Sequence, residues 1–372
     1  VSRQLQSGQL HKKEGTWLLP PVPGERCTAV KHMECGTGEH CRESCHAAGC
    51  FFVSAYASVS GNRVSIAEHA VLQAANDAIC RGGVPRSVEL QVLFPVWAEE
   101  AHVRALVGAA QSICDRLDVE LAAFQAQVVP AVGQILVSVT ARAHAARLLR
   151  MQDARAGQEI VACGFAGLEG SLRIAGERKA ELEGRFAPAF LRQMEGLKVH
   201  LGQAGALQVA REWHEGEIGQ AGAPSPAARQ VTPVVPRVFA MQQAASGGIF
   251  AALWELCEAA GTGLEVDLKK IPIRQETIEV CECYQLNPYQ MTSAGCVLLV
   301  TDDAEGVLDE LAENGAGGAR IGRITADKAR IVLNGGEKRF LERPAPDELA
   351  RFQERGPACG RGGAKLVLTP TS

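Results

Sequence analysis

The sequence has no charge-free apolar stretch of about 18 residues, the minimum that a membrane-spanning helix needs. Val1–Lys13 is polar and basic without an apolar centre, unlike a secretory leader. Both absences predict a cytoplasmic chain with no membrane partner. A dense Lys/Arg block is also missing. With 38 basic and 42 acidic residues the formal net charge is −4, so the electrostatic footprint of a nucleic-acid binder is not there. No repeat of fixed period is present, which excludes a solenoid. Cysteine, by contrast, is plentiful at 13 residues. In a cytosolic chain such thiols stay reduced, so a cluster of them points to metal or redox chemistry before disulfides.

A chain of 372 residues with 47% hydrophobic content can bury two ordinary cores. Residues 1–50 read as an irregular, Cys/His-rich extension. Residues 51–148 read as a first domain of strand, helix, strand, helix, strand: Phe51–Val59, a helix over 65–81 ended by Gly82-Gly83 and Pro85, strand Ser87–Phe94, helix Ala98–Leu117 and strand Gly133–Thr140. Residues 149–345 form a second domain, with strand Glu159–Cys163, helices within 175–215 and a flexible insertion at 219–236. A helix over 248–260 then places Ile249, Phe250, Leu253, Trp254 and Cys257 on one face. It is followed by strand 264–268, helix 275–285, strand 296–301, helix 303–314, strand 319–324 and a strand pair about Asn334-Gly335-Gly336. From 346 to 372 the tail is polar and glycine-rich.

Two segments carry a resemblance. Val238-Phe239-Ala240-Met241-Gln242-Gln243-Ala244-Ala245-Ser246-Gly247-Gly248-Ile249 is similar to the second-domain motif of the aminoimidazole ribonucleotide (AIR) synthetase superfamily, and Ala75-Asn76-Asp77-Ala78 before Gly82-Gly83-Val84-Pro85 resembles its first-domain helix motif. The block Leu264–Thr277 with Asn287-Pro288-Tyr289 resembles an AIR synthase-related, hydrogenase-maturation-like bacterial branch. The likeness runs from about residue 62 to 350 and implies the two-domain α/β PurM-like fold. In that fold the first-domain mixed sheets of two chains join as a dimer barrel, and ATP lies between the domains with Mg²⁺ held by carboxylates.

The motifs depart from the family where its carboxylates stand. Gly24-Glu25-Arg26-Cys27-Thr28 puts a cation where relatives carry aspartate, Phe51–Arg63 holds no acid, Ala122-Ala123-Phe124-Gln125-Ala126 lacks the glycines and the acid of a family loop, and Gln242–Gly248 keeps only the glycines of its motif. Asn76 and Asp77 survive. The expected nucleotide-binding set is therefore Asn76, Asp77, Gly247, Gly248 and Glu169, with ATP and Mg²⁺ in doubt. Asp77 reads equally as a metal ligand or as a capping residue, Gly247-Gly248 as an anion site or as close helix packing, and Glu169 as a ligand or a turn residue.

Between Cys27 and Cys50, thiols and imidazoles interleave, and Cys35, Cys41, Cys45, Cys50 and His46 are the candidate ligands of a zinc ion. Their spacing lacks paired C-x2-C knuckles, so an unliganded reduced loop stays open beside the metal reading. Cys80, Cys114, Cys163, Cys257, Cys281, Cys283 and Cys296 lie in periodic segments and read as small core residues. The family's dehydratase ends in a Pro-Arg-x-Cys acceptor thiol, whereas this sequence ends Leu368-Thr369-Pro370-Thr371-Ser372. The expectation is a catalytically impaired relative acting as a homodimeric binding or accessory protein. An active ATP-dependent synthetase or hydrogenase-maturation enzyme with rearranged ligands, and a metal-binding accessory factor, are the alternatives.

Overall fold

Small and β-branched residues alternate along Phe51–Gly61 and Ile135–Ala145, so each strand offers one apolar row to a helical layer and one polar row to the other side. The computed structural model describes residues 18–19, 22, 24–31, 51–145, 147–202 and 238–355. The first sheet has the order β1-β2-β5-β3-β4, with β1 Cys27–Lys31, β2 Phe51–Gly61, β3 Val84–Phe94, β4 Glu120–Val128 and β5 Ile135–Ala145. Only β3 and β4 run parallel. Helices α1 (Ile66–Ile79) and α2 (Glu100–Leu117) cover the face made by Val53, Ala55, Val88, Leu90, Val137 and Val139. The sheet is open, and the described residues close no barrel within one chain.

Two strands differ from the sequence expectation. β1 comes from the segment read as an irregular extension, and Ala122–Ala126, read as a loop, lies inside β4. Strand β4 is an edge with mostly exposed residues on both faces, so it carries no apolar alternation to betray it.

The second sheet has the order β12-β11-β8-β10-β6-β9-β7. Its strands are β6 Glu159–Cys163, β7 Val238–Gln243, β8 Gly263–Asp267, β9 Val297–Thr301, β10 Gly318–Thr325, β11 Arg330–Asn334 and β12 Glu337–Phe340. One face packs on α6 (Gly248–Ala260) through Ile249, Leu253, Leu256 and Cys257. The other packs on α8 (Ala304–Glu313) through Val307 and Leu311, joined there by Ile79 and Cys80 from the end of α1. Helices α3 (Leu168–Glu177), α4 (Lys179–Glu183) and α5 (Pro188–Gly196) follow β6, and α7 (Gln275–Tyr284) follows β8. The helices expected within 175–215 are short pieces as far as residue 202, with Pro188 starting α5, and 203–215 and the expected insertion at 219–236 lie outside the described residues.

Helix α1 is the keel of the molecule. Thirteen of its residues are buried, because the first sheet lies on one side and α3, α5 and the last described helix lie on the other. The last described element is α9 (Glu348–Arg355), which lies within the stretch read as a polar tail and buries Leu349 and Phe352 in the core under the first sheet; residues 356–372 lie outside the described residues. Among the described residues, no helix is long and apolar enough to cross a membrane.

Candidate functional site

The end of α1, the turn before β1 and the end of β7 converge on one buried polar network. Gly24 makes the turn with a φ of +80°, and any side chain there would overlap the Glu255 carboxylate of α6. The next two residues are delivered inward. Arg26 forms a bidentate pair with Asp77, Nε to Oδ2 at 2.7 Å and Nη2 to Oδ1 at 2.9 Å, and Nη2 also donates to the Gln243 carbonyl at 3.0 Å. The Gln243 amide donates to Asp77 Oδ1 at 2.7 Å and to the Gln73 carbonyl at 3.0 Å. Both oxygens of the retained aspartate are thereby occupied by N–H donors.

A second pair lies deeper. Arg81 is only 2% exposed and reaches both oxygens of Glu25 from Nε at 3.0 and 2.9 Å. Its remaining donors find the Met241 carbonyl at 2.8 Å, the Cys80 carbonyl at 3.2 Å and the Gln242 side-chain oxygen at 3.2 Å. Gln242 passes the chain on, its amide donating to Glu255 at 3.0 Å and to the Gly24 carbonyl at 3.3 Å. Burial raises the Glu255 pKa, opposed by Arg26 and by the bond from Gln242. Burial also pushes the Cys27 thiol well above its usual range, which makes it inert as a nucleophile. Two cations and three carboxylates, all interleaved, tie α1 and the turn before β1 to β7 and α6 of the second sheet.

Asn76 is not turned into this network. Its Nδ2 donates to the Leu201 carbonyl at 2.9 Å, joining α1 to the turn after α5. Gly247 and Gly248 open α6 with φ of +83° and +68°. Gly248 packs directly against the backbone of Tyr289 and Met291, and the Gly247 N–H donates to the Asp347 carboxylate at 2.6 Å. Asp347 also accepts from the Leu349 N–H at 2.8 Å and so fixes the start of α9. Burial raises its pKa, opposed by the backbone N–H groups it receives.

Glu169 lies in the first turn of α3, fully buried, and braces the loop before β9 by accepting from Thr292 Oγ1 at 2.7 Å and from the Ala294 N–H at 2.9 Å. Its other oxygen faces His69 Nδ1 at 3.7 Å and Arg173 Nη1 at 3.8 Å. Burial, with Arg173 and Lys198 adding to it and Glu169 opposing, lowers the His69 pKa to about 4. Folded His69 thus holds a proton less tightly than it does in the unfolded chain. Its contribution to stability is complete above pH 6.5 and is lost as pH falls toward 4, a loss of about 3 kcal/mol at 1.36 kcal/mol per unit. Urea unfolding of wild type and His69→Gln across this range checks it: the variant should lack that part of the acid slope.

The structure therefore brings Asp77 together with residues that the sequence did not single out, Glu25, Arg81 and Glu255, sets Gly247 against Asp347, and leaves Asn76 and Glu169 in separate contacts. Arg81 follows Cys80 at a helix end and carries no pattern that marks it. Cys35, Cys41, Cys45, Cys50 and His46 lie outside the described residues. Among the described residues, no group of three or more His, Cys, Asp or Glu is arranged to hold a metal ion.

The family model "AIR synthase related protein, C-terminal domain" matches residues 202–334. The fold as a whole matches the crystal structure of Escherichia coli HypE, a hydrogenase maturation protein, with a TM-score of 0.61 and 19% identity over 80% of this chain and 88% of that one. Residues 202–334 are thus similar to the AIR synthase-related C-terminal domain, and the chain shares the PurM-like fold of HypE. Two further structures share this fold. ThiL complexed with AMPPCP and TMP gives a TM-score of 0.59 at 15% identity, covering 88% of this chain and 91% of that one. HypE from a HypE–HypF complex gives 0.59 at 17%, covering 79% and 90%. In sequence, the chain is similar to carbamoyl dehydratase HypE of Rhodobacter capsulatus, 29% identical over 129 residues. That alignment spans 33% of this chain and 38% of the relative.

Proposed function

We propose that this chain is a hydrogenase-maturation-like member of its superfamily that has given up Mg-ATP chemistry and acts as a binding or accessory protein. The observation that supports this reading is the Arg26–Asp77 pair. Magnesium takes oxygen ligands and needs anionic charge left over for it. At Asp77 both oxygens already accept from Arg26 and Gln243, and the guanidinium itself supplies the positive charge beside them. This donor set does not fit a magnesium ion. The start of α6, where the resemblance would put an anion, is likewise taken by the Asp347 carboxylate.

Calorimetric titration with ATP, with and without Mg²⁺, tests the reading. No binding below about millimolar ATP is expected; micromolar binding with phosphate release would overturn it. The second reading, an active ATP-dependent enzyme with rearranged ligands, draws on the retained Asn76-Asp77 and on the nucleotide analogue held by the ThiL relative. The same titration separates the two.

A homodimer through the first sheet belongs to the proposal. The face of that sheet turned away from α1 and α2 carries Phe52 and Tyr56, 37% and 48% exposed, within a row of Ser54, Ser58, Ser138 and Thr140. Aromatic residues on a mostly neutral β surface are good interface anchors. Sedimentation velocity should give a dimer for wild type. Tyr56→Asp should raise the dimer dissociation constant by about a hundredfold, the equivalent of about 2.7 kcal/mol. A monomeric wild type would end this part of the proposal. The HypE relative found with HypF supports looking for a protein partner of different sequence.

A further inference from the structure

At the opposite end of α1 from Asp77, about 12 Å along the helix at 1.5 Å per residue, lies a cavity that the polar network does not touch. It measures about 490 Å³ and opens between the first turn of α1 and helices α3, α4 and α5. That volume is in the range of small-molecule sites. Leu172, Met194 and His69 are buried in its wall, with Phe186 and Leu191 beside them, so the wall carries an apolar patch under a charged rim. The His69 ring lines the cavity while Nδ1 is turned to Glu169, which lies outside it. A carboxylate on the Nδ1 side favours the proton there, leaving Nε2 as the acceptor of a neutral ring.

The charges at the rim are unequal. Lys198 is paired with Glu195 at 3.3 Å and Lys179 with Glu183 at 3.9 Å. Arg192, also at the rim, has no ion pair or hydrogen bond among the described residues. Gly176 contributes open space, because a Cβ built there meets nothing within 4 Å. We infer that this cavity binds a small molecule with an apolar body, one anionic group that pairs with Arg192 and one hydrogen-bond donor directed at His69.

Two dyes test this on the full chain. Anilinonaphthalene sulfonate has fused apolar rings, a secondary N–H and one sulfonate, and N-phenyl-1-naphthylamine keeps the rings and the N–H without the charge. Fluorescence titration of wild type should give saturable binding of one sulfonate dye per chain. Arg192→Ala should weaken the sulfonate dye about tenfold and leave the uncharged dye within about twofold. Gly176→Leu fills the cavity from a helical position with room for it, and leucine is the better helix former; it should weaken both dyes more than about tenfold with the thermal midpoint unchanged or raised. His69→Phe keeps the ring and removes the acceptor, and should weaken both dyes about fivefold. Absent or non-saturating binding, or sulfonate binding indifferent to Gly176→Leu and Arg192→Ala, would overturn the inference.

Discussion

Replacing Arg81 by methionine should lower the unfolding free energy by about 3–5 kcal/mol, the scale found when one partner of a buried ion pair is removed. Arg81 and Glu25 have side chains 2% and 3% exposed, so neither can turn to water when its partner is lost. The deletion would strand more than Glu25. The Met241 carbonyl and the Gln242 side chain also lose their donor, and both belong to the strand that carries the second domain to the interface. Methionine matches the length of the aliphatic stem, so the loss reports on charge and hydrogen bonding more than on a cavity. A double-mutant cycle with Glu25→Gln isolates the pair: the double variant should be about 1–3 kcal/mol more stable than additivity predicts. If Arg81→Met costs less than about 1 kcal/mol in urea unfolding, the pair does not bind the domains together.

The parts of this architecture that were legible in the sequence are those with periodic burial. Helix α6, with its apolar face and the Gly261 stop, and strands β6, β8, β9 and β10 lie within a few residues of where alternation and glycine place them. The edges were not legible, for a physical reason. Strand β4 is exposed on both faces, and β1 is five residues long beside a segment rich in Cys, His and Gly, so neither carries a pattern that differs from a loop. Helix α9 was hidden by composition: Leu349 and Phe352 are its only large apolar residues, yet both are buried. At the site, the motif departures could be read residue by residue, but their consequence could not. Arg26 in place of an acid reads as a lost ligand. Only the fold shows that it lies on Asp77, 51 positions away, and that Gln243 completes the same carboxylate from 166 positions away.

That placement gives the Arg26→Asp variant an unusual expected behaviour. The substitution removes the cation and puts a third carboxylate beside Asp77 and Glu255, whose side chains are 4% and 10% exposed. In chelator the variant should lose about 3–5 kcal/mol, since like charges withdrawn from water are left without compensation. Oxygen ligands in surplus are what a hard divalent cation requires. A magnesium ion that bound only the folded variant would return RT ln(1 + [L]/Kd), about 2.7 kcal/mol at a hundredfold excess over the dissociation constant. Wild type, whose Asp77 oxygens are already taken, should move by less than about 0.5 kcal/mol under the same titration, the span of ordinary surface effects. The contrast between the two proteins is the measurement. A magnesium-dependent gain confined to the variant would mean that Arg26 does for Asp77 what a bound metal would do, neutralising a buried carboxylate from within the chain. An equal gain in wild type would mean that the carboxylates remain open to the ion despite the guanidinium, and that the proposed loss of Mg-ATP chemistry is wrong.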